Sequence, residues 1–451
     1  MDLPSHFLAI AGLILGLVLW YNHWRGHLHL LQGKVPVFRT LGAMADKVGP
    51  VFVIRLGMYR ALVVSNHEAA KECFTTNDKV FASRPSSSAS KILGYNYVAF
   101  GLAPYGPLWR EIRKLCMLEI LSTRRLSDLM HVHVSELHAG IKDLYILGKD
   151  YNWVNPKKVV ISEWFEHLNF NVVLRMVAGK RYFNNVVHGG HLSSMKQVAK
   201  EMDSVLESWV EEHTGRLNSE ASSRQDFIDI MLTKLKDASL FGYSRETIIK
   251  ATVMVEQQSM NSIECRNKED QKSLMLIVAG SDTTSITSTW LLSALLNNRH
   301  VMKHAQEELD LKVGRDRWVE QSDIQNLVYL KAIVKETLRL YPAVPLLVPH
   351  EAMEDCHVEF QPERFLTSHA TVDVLGQNFE LIPFGSGRRS CPGINMALQM
   401  LHLTIAQLLQ GFDMATPSNS PVDMAEAISI TMPKLTPLEV MLTPRLPAEL
   451  Y

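Results

Sequence analysis

The stretch Phe384-Gly385-Ser386-Gly387-Arg388-Arg389-Ser390-Cys391-Pro392-Gly393 decides the reading of this chain. One cysteine stands among glycines, two arginines and an aromatic ring, just before an apolar run from Ile394 to Leu409 that has helical character. Glycines at 385, 387 and 393 let a backbone turn tightly and approach a flat ligand closely. Arginine charge and the amides of a helix start both lower a thiol pKa, so the setting is expected to favour thiolate. A lone cysteine is ordinarily a small buried apolar residue. Here Phe384, Gly387, Arg389, Cys391 and Gly393 all fit the pattern Phe-x-x-Gly-x-Arg-x-Cys-x-Gly, and that coincidence turns the reading towards a metal-ligating thiolate.

The pattern resembles the cysteine loop of the cytochrome P450 monooxygenases. By that resemblance Cys391 is the proximal iron ligand, Arg389 binds a haem propionate, Phe384 packs near the sulfur and tunes it, and Gly393 completes the cofactor loop. A thiolate on haem iron pushes electron density towards the metal and favours O–O cleavage. The resemblance implies a mainly α (α+β) fold: a helical haem domain, a small β-rich subdomain and an N-terminal transmembrane helix. It also implies haem b (iron protoporphyrin IX) as cofactor. The implied reaction inserts one oxygen atom from O2 into a hydrophobic small molecule, with electrons from NADPH through a partner reductase.

Composition agrees with a large globular body. The chain has 451 residues, 47% of them hydrophobic and 21% charged, which is ample for a substantial core and argues against disorder. A net charge of −1 gives no field to attract nucleic acid. The five cysteines are scattered with no C-x-x-C pair, so neither a zinc site nor a disulfide framework is indicated. Leu3 to Trp24 is almost wholly apolar and long enough to cross a bilayer, which takes roughly 20 residues. Trp20, Tyr21 and Trp24 form an interfacial belt followed by Arg25 and Lys34. The expected organisation is therefore an anchor over 1–25 and a haem-thiolate domain over 26–451, single-pass in the endoplasmic reticulum membrane with its body cytosolic.

Strands are expected at 51–56 and 61–65, and helices at 66–75, 108–120, 123–146, 193–217, 226–236, 244–254, 274–297, 299–311, 327–340 and 393–410. The apolar helix from Leu274 carries Ala279-Gly280-Ser281-Asp282-Thr283-Thr284 at its middle. Read alone, this is either a polar surface turn or a functional kink, because hydroxyls bond back to the preceding turn and bend a helix. The resemblance makes it the oxygen-binding helix: Ala279 and Gly280 open a groove, and Asp282 and Thr283 relay protons. Glu336 and Arg339 share a helix face, which by itself reads as a surface ion pair. The resemblance closes a buried network of Glu336, Arg339 and Arg364. Trp109 and Arg113, one turn apart, read alone as core packing plus a solvated arginine; the resemblance makes them haem-propionate contacts, as it does His350. Lys331, Lys335, Arg110, Lys114 and Arg388 fit either a reductase-facing surface or a solvated charged face.

Phe81-Ala82-Ser83-Arg84-Pro85 and Ala103-Pro104-Tyr105-Gly106 look like a plant microsomal member acting on alkaloids, flavones, furanocoumarins or terpenoids. The chain departs from the family pattern in four places. The proline-rich hinge after the anchor is absent; the helix and loop expected near 190 are absent; residues 255–273 are a polar insertion; and a strand pair and short helix are absent near 358. These breaks carry a rival expectation, a truncated splice or gene-model variant with little haem binding or catalysis. A third reading is an isomerase or dehydratase on the same scaffold, against which the Asp282-Thr283 pair argues.

Overall fold

The computed structural model describes residues 35–56, 59–84, 91, 96–149, 153, 155–184, 208–216, 225–235, 242–253, 275–347, 360–429 and 431–451. The expected anchor, His350, the insertion at 255–273 and the junctions near 190 and 358 lie outside these residues. Among the described residues, no helix is long and apolar enough to cross a membrane.

Helix α1 (Val37–Val48) leads into the antiparallel hairpin of β1 (Val51–Leu56) and β2 (Tyr59–Val64). Strand alternation turns Ile54 and Val63 onto Leu41 of α1 and leaves Val51, Val53 and Leu62 facing outwards. The second strand begins earlier than the sequence reading places it, because Leu56 pairs with Tyr59 and only two residues connect the strands. Helices α2 (His67–Phe74) and α3 (Asp78–Phe81) follow; the Asn66 side chain caps α2 by accepting from the Ala69 amide. Helix α4 (Pro107–Leu115) starts on proline, whose missing N–H costs nothing there, and runs into a π-helical turn over Cys116–Ile120.

The body is helical. It comprises α5 (Thr123–Lys149), α6 (Ile161–Ala178), α7 (208–216), α8 (Phe227–Leu235), α9 (Arg245–Val253), α10 (Met275–Asn297), α11 (Arg299–Lys312), α12 (Val328–Leu340) and α13 (Ile394–Gly411). Strands β3 (Lys157–Val160), β4 (Phe412–Ala415) and β5 (Glu439–Pro444) form a second small sheet in the order β3-β5-β4, antiparallel throughout. The sequence reading misses α1, α3, α6 and all three of these strands. Helix α6 has Trp164, Phe165, Phe170, Val173 and Val177 buried around its circumference. It presents no polar face, so the 3.6-residue alternation that marks a helix is absent. It packs along α10, which also meets α12 and α13, and this helical stack positions the site.

Candidate functional site

Cys391 lies between a 3-10 turn (Gly387–Arg389) and the start of α13. Its amide donates to the Phe384 carbonyl at 2.9 Å and closes the loop. Gly387 has φ of +67°, and a Cβ there would meet Asp78 Oδ1 at 2.5 Å, so both conformation and space require glycine. Asp78 on α3 holds the loop from outside: it accepts from the Arg388 amide at 3.0 Å and pairs with the Arg388 guanidinium at 2.8 Å.

Three arginines converge beside this loop. Arg113 on α4 donates to the Ser390 carbonyl at 3.0 Å and to Ser390 Oγ at 3.1 Å. Arg389 donates to the carbonyls of Ala82 (2.5 Å) and Ala103 (2.6 Å). Arg84 donates to the Gly101 carbonyl at 3.2 Å. The Arg113 and Arg389 guanidinium groups lie 5.5 and 4.2 Å from the centre of the Trp109 ring. Burial, then the charges of Arg84 and Arg113, pull the Arg389 pKa down to about 10. Burial also lowers the values of Arg84 and Arg113. No carboxylate pairs with any of the three among the described residues. Trp109, only 3% exposed, has its indole Nε1–H buried without a partner. Burying polar and charged groups this way is costly unless an acceptor completes them. An anionic, planar ligand beside Cys391 satisfies both deficits, and propionate-bearing haem has that chemistry.

One electrostatic expectation is corrected. Burial pushes the Cys391 thiol up from its ordinary value; the Gly393 amide and Arg113 act in the opposite direction without overcoming it. The reason is where the charge goes: Arg389 directs its guanidinium at the Ala82 and Ala103 carbonyls, not at the sulfur. A coordinated cation, not the surrounding charge, is what deprotonates such a thiol.

On α10, Asp282 is half-buried, and burial raises its pKa to about 6. Thr283 Oγ1 donates to the Ala279 carbonyl at 2.6 Å, and Thr284, Ser285, Thr287 and Ser288 each donate to the carbonyl four residues earlier. Gly280 serves close helix approach: a Cβ there would stand 3.1 Å from Met396 Cε of α13 and 3.4 Å from Val173 of α6. At the expected groove the Met396 side-chain end stands beside Gly280, while Ala279 is exposed. Met396 lies in the first turn of the helix that follows Cys391, so the two motifs, far apart in sequence, are neighbours.

Glu336 is fully buried and accepts from Arg339 Nε (2.7 Å) and Nη2 (2.9 Å), from Arg364 Nε (3.0 Å) and from the Gln361 amide (3.0 Å). The acid and both arginines meet as one cluster. Beyond this cluster, the Met432 amide donates to the Ala343 carbonyl at 2.8 Å and ties the C-terminal segment to the turn after α12. In the basic group, Lys331, Lys335 and Arg388 are engaged with Gln325, Val372 and Asp78, whereas Arg110 and Lys114 are exposed. Sequence reasoning missed two residues of the neighbourhood: Arg84, and Glu166 on α6, whose carboxyl burial and the Asp282 and Glu163 charges push up to about 7. Glu166 went unseen because its helix did. Arg84 lies in a quoted run whose local pattern says nothing of where its guanidinium points.

The comparisons complete the picture. The family model described as cytochrome P450 matches residues 19–187, 146–359 and 358–439. The chain is 44% identical to xanthotoxin 5-hydroxylase CYP82C4 of Arabidopsis thaliana, covering 94% of this chain and 92% of that protein. It is 41% identical to vinorine hydroxylase of Rauvolfia serpentina over the whole of both, and 40% identical to nicotine N-demethylase CYP82E4 of Nicotiana tabacum over 92% and 89%. The vinorine hydroxylase alignment spans 543 residues against 451 in this chain, so that relative carries segments with no counterpart here. A zebrafish cytochrome P450 structure with progesterone superposes with a TM-score of 0.68 at 21% identity, covering 91% of this chain and all of that one, which bears on the fold alone. This chain belongs to the cytochrome P450 family and is an oxidoreductase of the monooxygenase type.

Proposed function

We propose that the chain is a membrane-anchored haem-thiolate monooxygenase that inserts one oxygen atom from O2 into a hydrophobic plant secondary metabolite, with electrons from NADPH through a reductase. The observation that carries this reading is that Arg113 and Arg389 lie over buried Trp109 with its unpartnered N–H, Arg84 close enough to act on Arg389, and none of the three pairs with a carboxylate among the described residues, beside Cys391. Haem b, when bound, supplies the activation of dioxygen. Cys391 would hold its iron, while Trp109, Arg113 and Arg389 would receive its propionates; Phe384 and Gly393 shape the loop. His350 is assigned a propionate on sequence pattern alone. Asp282, with a value of about 6, takes up and releases a proton near neutrality, as proton transfer in turnover requires. Thr283 gives its hydroxyl hydrogen to the Ala279 carbonyl, which leaves its oxygen lone pairs to accept. The buried Glu336–Arg339–Arg364 cluster fixes the backbone at Gln361 ahead of the cysteine loop. Relatives acting on xanthotoxin, vinorine and nicotine support a hydrophobic, rigid plant metabolite as substrate. The apolar run Leu3–Trp24 supports an anchor in the endoplasmic reticulum membrane.

The test is a carbon monoxide difference spectrum on microsomes carrying the expressed chain. The expected result is the red-shifted Soret band of a thiolate-ligated haem, lost in Cys391→Ser. A spectrum unaltered by that substitution overturns the ligand assignment. A colourless wild-type chain, despite ample haem supply, favours the truncated-variant reading.

A further inference from the structure

Helices α6 and α10 run antiparallel along a shared seam. Ser285 Oγ lies 3.1 Å from the Phe165 carbonyl and accepts from Asn169 Nδ2 (3.0 Å), while Val173 lies against Gly280. Ascending α6 through 165, 169 and 173 therefore descends α10 from 285 to 280. Each residue turns a helix by about 100°. In an antiparallel pair, the residue following a seam position consequently turns to the same side of the seam on both helices. Glu166 follows Phe165. Asp282 follows Ser281, which is buried on the Ser285 face and whose carbonyl accepts from Ser285. The two carboxyls thus lie on one flank of the seam, each half-buried, with Glu163 one turn earlier on the same flank.

We propose that Glu166 is a relay residue that passes protons from solvent to Asp282 during turnover. The inference rests on the reading of Asp282 as a proton donor given above. In the step, the Glu166 O–H bond breaks as its proton passes to an intervening water, which gives a proton up to form an O–H bond on the Asp282 carboxylate; Glu166 then regains its proton from solvent, and no electrons move. The electrostatics suit the role. Glu166 stands at about 7 and Asp282 at about 6, so both change protonation near neutrality and the transfer is nearly balanced. The groups acting on Glu166 are Asp282 across the seam and Glu163 on its own helix. Neither charge attracts a proton away from the path, and both keep one on Glu166.

Infrared titration of carboxyl groups in the full chain, alongside E166Q and D282N, tests the coupling without relying on turnover. E166Q should remove the carboxyl titrating near 7, and D282N should lower its value, because a neighbouring negative charge has gone. A Glu166 titration unmoved by D282N overturns the proposal. In the haem-loaded enzyme, E166Q should slow substrate oxidation about a hundredfold, flatten the fall in rate with rising pH, and leave the carbonyl Soret band intact. E166D should restore the pH-dependent limb, and it also serves if E166Q fails to fold. Wild-type rate and pH profile in E166Q, with an intact carbonyl band, exclude the relay. An absent carbonyl band in the wild-type chain defeats the haem reading instead, and leaves the infrared coupling to judge Glu166.

Discussion

At the residue scale, Trp109 holds a polar group that the polypeptide leaves without an acceptor. Trp109→Phe keeps an aromatic ring beneath Arg113 and Arg389 while deleting that N–H. An unpaired buried donor costs about 1–3 kcal/mol, so the haem-free variant should be at least as stable as wild type in urea unfolding. Haem retention in a competition with apomyoglobin should nevertheless fall. A parallel loss of both would place the indole in the core and not at a ligand. Glu336→Gln acts oppositely: it strands Arg339 and Arg364 around a fully buried site, which should cost about 3–5 kcal/mol in the same unfolding measurement. The cysteine loop was legible in sequence because its chemistry is local, with glycines, arginine and thiol inside ten residues. The arginine convergence was not, because Arg84, Arg113 and Arg389 come from three distant segments; only packing lays Arg113 and Arg389 over one ring and brings Arg84 near enough for its charge to act on Arg389.

At the element scale, a polar face alone did not decide which helices were readable: α1 exposes one and was missed, while α10, buried from Thr284 to Leu296, was read from its long apolar run. Helix α12 alternates Lys331, Lys335 and Arg339 with buried Ala332, Ile333 and Glu336, and the sequence reading places it within a residue of its observed bounds. Helix α6 is buried nearly all round, and Glu166 disappeared with it. Helices α7 and α8 are joined by charge as well as packing. His213 Nδ1 lies 2.6 Å from the Trp209 carbonyl and Nε2 lies 2.8 Å from Asp226 Oδ2. Both partners accept, so both nitrogens donate and the ring is charged. Arg216 meets both oxygens of Asp229 at 2.8 Å. Burial opposes the charged ring, but the Asp226 hydrogen bond and charge, with the Trp209 carbonyl, leave its pKa raised. A raised folded value means the stabilisation is fully present below the unfolded value of about 6.5 and is lost as pH rises through the folded one. Amides of 208–216 should therefore exchange more slowly, relative to intrinsic rates, on the acid side of that range than on the alkaline side. His213→Gln should abolish the difference; a pH effect that survives the substitution would have another source.

At the scale of the whole molecule, the described residues form two small sheets and a helical stack in which α10 touches α6, α12 and α13, so the carboxyl flank, the buried acid cluster and the cysteine helix share one packed centre. A ligand that binds only the folded chain stabilises it by about 4 kcal/mol at a thousandfold excess over its dissociation constant. Haem loading should accordingly raise the thermal midpoint, and extraction of haem should lower it again. A midpoint indifferent to haem would mean that the arginine-lined recess is completed by something else. The hydrogen atom at Gly280 gives the seam an evolutionary consequence. A methyl group there would press first on the free end of Met396, the most pliable apolar side chain, which can swing aside. Gly280→Ala should thus be nearly silent in this background yet damaging once Val173, whose Cγ2 stands 3.4 Å from that methyl, is enlarged to isoleucine. The order in which substitutions are acquired then decides which of them the lineage can survive.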